Sequence, residues 1–200
     1  MTRPHDRTSE PRWPTERPPI PEDGAQLVIA AAGDPAALAA AAAWRAEGLA
    51  AGRTVTDVGG GLGVAAGDSA SRVDGEALRV AERLATVLVD ATAATRLLLA
   101  GSEALLGRAT AVALRAGLRP DEIRAVRTTD GPRLVRCTHC RTLTATAAEV
   151  GERTACGGCG VPLEVFHHYS PRIGAYMGFH ADAEELEPAA GDARSTGIAA

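Results

Sequence analysis

The spacing of apolar positions divides the chain into two regimes. A short apolar run, Gln26 to Ala31, leads into Asp34-Pro35, an N-cap with proline at the first helical position, so a strand passes into a helix there. The alanine-rich stretch Pro35 to Ala51 favours helix, and Gly52 suits its C-terminal cap before a candidate strand at Arg53 to Val58. Leu78, Ala81, Leu84, Val87, Leu88 and Ala91 recur mostly at spacings of three and four, which predicts a helix over Gly75 to Thr95 with one buried face. Arg96 to Ala100 (RLLLA) reads as a buried strand and Gly101-Ser102 as a turn and N-cap. Glu103 to Ala116 then reads as a helix stopped at Gly117, and Glu122 to Thr128 as the next strand. Strands alternating with helices over short connections favour right-handed crossovers, so residues 24–130 are expected to form a small, mostly parallel, three-layer α/β domain.

Gly131-Pro132 breaks this pattern, and short β-like runs follow at Arg133 to Arg136, Thr142 to Thr146 and Val161 to His168. Residues 131–172 are expected to be a separate four-cysteine β module of zinc-ribbon or rubredoxin type. In 173–200 the run RIGAYMGF is unusually apolar and reads as a docking segment, onto the α/β domain or onto a partner. An acidic and then Ala/Gly/Ser-rich tail with no apolar period follows, disordered at its end. Residues 1–23 place Pro4, Pro11, Pro14, Pro18, Pro19 and Pro21 among many charges and are expected to be a disordered arm, with no apolar centre for a secretory signal.

Composition narrows the function classes. Two hundred residues at 46% hydrophobic suffice for one sizeable domain plus a small one. All 21 basic residues are arginine and asparagine is absent, a codon bias of GC-rich genomes that carries no functional weight. A net charge of -4 argues against general binding to phosphate backbones, which requires a concentrated positive field. From Arg127 to Arg172 six arginines face four acids, Asp130, Glu149, Glu152 and Glu164, too small an excess for a nucleic-acid module. No run of about eighteen apolar residues occurs, so no membrane span is expected.

The four cysteines lie in one short window as C137-T-H-C140 and C156-G-G-C159, which fits thiolate metal ligation in a reducing cytoplasm better than a disulfide framework. Each pair sits on a tight turn whose amides can point at sulfur, with Gly157, Gly158 and Gly160 supplying conformational freedom in the second. Fifteen residues separate Cys140 from Cys156, room for a hairpin that brings the knuckles face to face. Cys137, Cys140, Cys156 and Cys159 are therefore expected to form one tetrahedral site holding zinc, with iron as the alternative. Four thiolates leave no open position, which disfavours water activation and leaves a structural or an electron-carrying role. His139 lies inside the first knuckle but would be a surplus ligand, and His167 and His168 are expected on opposite faces of a strand. Metal binding should supply much of so small a module's stability.

Other candidate chemistry is thinner. Gly59, Gly60, Gly61 and Gly63 follow a strand, but the chain lacks the P-loop lysine pattern, and Gly61-x-Gly63-x-x-Ala66 only approaches a dinucleotide fingerprint. Ser102 and Glu103 fall where open α/β sheets bind ligands, yet no base partner for Ser102 is visible. No residue is assigned a catalytic role, and cofactor-binding residues stay unassigned.

The stretches CTHCRTLTATAAEVGERTACGGCGVPLEVFHHYS and PRIGAYMGFHADAEEL, within Arg136 to about Glu185, resemble the C-terminal module of the dimethylamine monooxygenase small-subunit (DmmA-like) family. LLLAGSEALLGRATAVALRAGLRPDEIRAVRT also resembles the last strand-helix-strand of ferredoxin-reductase nicotinamide modules. Ala100-Gly101-Ser102 replaces their Cys-Gly-Pro turn, so it reads as a scaffold of that ancestry. The first resemblance implies an accessory subunit of a multi-component amine monooxygenase that oxidatively demethylates dimethylamine to methylamine and formaldehyde. Haem, flavin and iron-sulfur centres are then expected on partner subunits only. Two alternatives remain: a free-standing zinc-ribbon adapter for a protein or nucleic acid, and a nucleotide-dependent enzyme using the glycine loop.

Overall fold

In the computed structural model of the chain, residues 9–32, 34–59 and 69–183 are described. Four strands, β1 (Gln26–Ala31), β2 (Thr54–Asp57), β3 (Thr95–Ser102) and β4 (Ile123–Thr129), form a sheet in the order β2-β1-β3-β4. Every pairing in it is parallel. Helix α1 (Pro35–Ala50) covers one face, while α2 (Ser69–Val87) and α3 (Glu103–Arg115) cover the other.

The period of two along each strand explains the sandwich. Leu27, Ile29, Leu98 and Ala100 pack with Ala37, Ala40 and Trp44 of α1, whereas Val28, Ala30, Leu97 and Leu99 pack with Ala81, Leu84, Leu105 and Ala109 of α2 and α3. Leu97, Leu98 and Leu99 are fully buried, and at about 1.5–3 kcal/mol per large apolar side chain β3 is the main apolar anchor of the sheet. Both anticipated N-caps form: the Ala37 amide donates to Asp34 Oδ1 at 2.9 Å, and the Leu105 amide to Ser102 Oγ at 3.4 Å.

The second sheet contains β5 (Arg133–Cys137), β6 (Leu143–Thr146), β7 (Arg153–Ala155), β8 (Pro162–Ser170) and β9 (Ala175–His180), in the order β6-β5-β9-β8-β7. Only β5 and β9 run parallel. This sheet does not stand apart from the α/β domain. Leu134 of β5, Ala175 of β9 and Leu143 and Ala145 of β6 join the core built on α2 and α3, giving the layer order α1, parallel sheet, α2 with α3, second sheet. Closest approach occurs between two glycines: a methyl at Gly107 of α3 would sit 2.5 Å from the Gly174 carbonyl oxygen, and one at Gly174 would run into the Gly107 carbonyl. Gly174 also has φ +73°, so both sterics and backbone favour glycine there.

Three sequence expectations change. RIGAYMGF is a strand of the second sheet rather than a tail: it supplies β9, inserted between β5 and β8, so the β module extends past residue 172, while its Ile173, Gly174 and Ala175 do pack onto the α/β domain. Gly178 within it fits between Val135 and Leu163, where a Cβ would meet side-chain atoms at 2.6 and 3.0 Å. The helix expected to reach Thr95 ends at Val87 and passes through a single 3₁₀ turn, Leu88–Asp90. Thr92 and Thr95 hydroxyls then accept from the amides of Ala94 and Thr92, the local bonding by which threonine diverts a backbone from helix.

The third change is at the proline-rich arm, whose residues 9–23 form an extended strap across the layers. Ser9 Oγ accepts from the Tyr169 amide at 2.8 Å, Pro14 O from the Arg127 amide at 2.7 Å and Pro18 O from Trp44 Nε1 at 2.8 Å. At its end Asp23 pairs with Arg96, which is only 7% exposed and also donates to the Ala93 and Thr95 carbonyls. A Pro-rich strand without its own ladder can still be ordered when its carbonyls find donors on the surface it crosses. The glycine-rich loop's Gly60, Gly61 and Gly63 lie outside the described residues.

Candidate metal centre

Two knuckles of matching geometry build the cysteine site. In each, the first cysteine's amide donates five residues ahead, Cys137 to Thr142 O at 3.0 Å and Cys156 to Val161 O at 2.9 Å. Its carbonyl accepts four residues ahead, from the amides of Arg141 at 3.0 Å and Gly160 at 2.9 Å. Arg141 and Gly160 close the turns with φ of 67° and 74°, and Arg141 is the one residue other than glycine with positive φ among the described residues. A strained arginine at the position where the second knuckle uses glycine indicates that the turn geometry is held by the site. Amides also point at sulfur: Cys140 N to Cys137 Sγ at 3.5 Å, and Gly158 N to Cys156 Sγ at 3.4 Å.

The first knuckle joins β5 to β6 and the second joins β7 to β8, and the four sulfurs lie within 4.8 Å of one another. Cys137 and Cys159 sulfurs are 3.9 Å apart and those of Cys140 and Cys156 3.5 Å apart. Neither is a disulfide; both bracket the ~3.8 Å edge of a tetrahedron with metal–sulfur bonds of ~2.3 Å. Thr142 hydrogen bonding lowers the Cys140 thiol to about 6. The Val161 amide acts in the same sense on Cys159, but burial and the adjacent Cys140, Cys156 and Cys137 sulfurs outweigh it and push that thiol up to about 12. Four thiolates at this spacing repel one another and require a cation to be ionised together, and the donor set fits a soft or borderline dication. The cluster grades from the buried Cys137 and Cys156 through Cys140 to the exposed Cys159.

Residues 134–179 match the family model described as dimethylamine monooxygenase subunit DmmA-like, C-terminal domain. Over that span the C-terminal module is similar to the DmmA-like C-terminal domain. The matched span runs from β5 into β9 and contains all four cysteines, so the similarity coincides with the second sheet as folded here. The chain is also 46% identical over 102 residues to the heme-dependent oxidative N-demethylase delta subunit of Ectopseudomonas mendocina (strain ymp). That match takes in 51% of this chain and 57% of the relative, so the chain spans little more than half of the relative's length. No solved structure matches the chain.

The other sequence candidates separate from this centre. His139 is exposed and outside the four-sulfur group, and His167 and His168 fall at a register shift between Phe166 and Tyr169 of β8. Ser102 is committed to capping α3, beside a pocket of about 100 Å³ at the carboxyl ends of β1, β3 and β4 that Asp34, Glu76 and Thr129 also line. Two carboxylates in so small a space oppose a phosphate group. Glu103, expected at the same crest, is instead buried against the second sheet. Burial, followed by the Glu103 charge, pushes the Tyr169 and Tyr176 hydroxyls far above the usual phenol range. These rings meet edge to face at 5.1 Å, and Trp13 of the strap packs edge-on against Tyr169 at 6.4 Å. Tyr169 and Tyr176 stand out in the sequence as aromatic handles after the ribbon, but a tyrosine pair seven residues apart and a tryptophan in a proline-rich arm have no periodicity that links them into one cluster.

Proposed function

We propose that this chain is an accessory subunit of a multi-component amine monooxygenase that oxidatively N-demethylates dimethylamine to methylamine and formaldehyde, with haem, flavin and iron-sulfur centres on partner subunits. The observation that carries this reading is the 46% identity to an oxidative N-demethylase delta subunit, together with the DmmA-like domain. The four cysteines would hold one zinc ion that fixes the two knuckles and stabilises the module, since a closed thiolate tetrahedron has no position for substrate or water. A second reading, an iron site relaying single electrons, is favoured by the exposure of Cys159, which puts one ligand sulfur within reach of a docked partner.

The adapter reading in its nucleic-acid form loses support from the charges. Of the six arginines between 127 and 172, Arg127, Arg133 and Arg153 are paired with Asp130, Glu149 and Asp182. The test is purification from the native background without chelator, followed by element analysis, a visible spectrum and identification of co-purifying chains. One equivalent of zinc with a haem-bearing partner supports the structural subunit. One equivalent of iron with thiolate charge-transfer bands supports the relay, and isolation of the chain without any haem or flavin protein would sink the oxygenase assignment.

A further inference from the structure

Where the strap crosses α3 it leaves a groove of about 400 Å³, floored by Leu114 and Ile123 and walled by Trp13 and several proline rings. Its volume lies in the range of small-molecule sites, and strap, α3, β4 and the β8–β9 turn all contribute to it. The polar side chains along it share one character. The Trp13 indole N–H and the Thr110 hydroxyl are buried and have no hydrogen-bond partner, and Thr110 is only 9% exposed. Arg12 and Arg124 line the same groove, are exposed, and form no ion pair among the described residues. Guanidinium can only donate, and no carboxylate lines the space.

We propose that this groove binds a small, flat, apolar molecule carrying one oxyanion, such as an aromatic carboxylate or sulfonate. The ring system would lie against the indole and proline faces. Its anionic oxygens would take the Arg12 and Arg124 guanidiniums, the accessible donors of the groove. Donor-only lining selects against cationic ligands, including the amine named above, so this site is separate from any amine chemistry and does not depend on the subunit reading.

Titration of the full-length, metal-loaded chain with anilinonaphthalene sulfonate tests the proposal, with neutral phenylnaphthylamine as the comparison probe. Saturable binding of one dye per chain is expected, with energy transfer from tryptophan that falls in Trp13→Phe. Arg12→Ala with Arg124→Ala should weaken binding about tenfold without altering the far-ultraviolet spectrum, since both side chains are exposed. Leu114→Trp should block the groove and abolish binding. Equal affinity for the neutral probe, or unchanged binding in Leu114→Trp, would overturn the proposal. Release of the dye on adding the co-purifying subunits would also overturn it, making the groove a subunit contact instead.

Discussion

Replacing Gly174 with alanine isolates the contact that fixes the metal module to the α/β domain. Two costs add there. The backbone holds φ +73°, and forcing an L side chain into the left-handed region costs about 1–2 kcal/mol. The new methyl also runs into the Gly107 backbone of α3, and relieving such overpacking costs about 1–3 kcal/mol. Gly52 supplies the control, because its φ of 69° is nearly the same while nothing lies within 4 Å of its would-be Cβ. Gly52→Ala should therefore show the conformational cost alone, and Gly174→Ala should exceed it by about 1–3 kcal/mol. Urea unfolding of the metal-loaded protein followed by circular dichroism, with m-values compared, measures both. Gly107→Ala should cost less than Gly174→Ala, because alanine recovers up to about 1 kcal/mol of helix propensity. If Gly174→Ala is no more destabilising than Gly52→Ala, α3 and the β8–β9 turn do not meet at this point and the four-layer packing is wrong.

Cys156→Ser, or removal of the metal by chelator, should unfold the second sheet and lower the thermal midpoint of the whole chain, because Leu134 and Ala175 belong to the helical core; calorimetry and amide exchange would report both. Ser102→Ala should destabilise by about 1 kcal/mol through loss of the α3 cap, read from the denaturation midpoint. Hydrogen bonding to Arg96 lowers the Asp23 pKa from its ordinary 3.8, so this carboxylate's contribution is complete above that value and disappears as pH falls through the folded value. Asp23→Asn should therefore show a shallower loss of stability than the wild type on acidification below about pH 4, and parallel curves would contradict the assigned pairing.

Local rules were enough for the parts of this chain whose partners are near in sequence. Asp34-Pro35 and Gly101-Ser102 announced helix starts because a cap is a contact within three residues, and RLLLA announced the central strand because both its faces are covered. The cysteine knuckles were legible for the same reason: each is a short turn, and the fifteen-residue gap limits how they can meet. β9 was not, since its alternation is interrupted by Gly178 and its parallel partner β5 lies about forty residues away, a pairing no local pattern encodes. β7 has three residues and exists only against β8. The prolines and charges of the strap suggest disorder, but its order comes from the Pro14 and Pro18 carbonyls accepting from Arg127 and Trp44 and from the Ser9 hydroxyl accepting from the Tyr169 amide, donors that only the finished fold assembles.

The position of β9 also has a consequence for folding. Both knuckles precede it in the chain, yet the β5–β6 and β7–β8 hairpins share no ladder except through it. All four strands of the two hairpins thus precede in the chain the strand that joins them. A metal ion captured before β9 pairs would clasp them in the right orientation and leave a slot for β9 to enter.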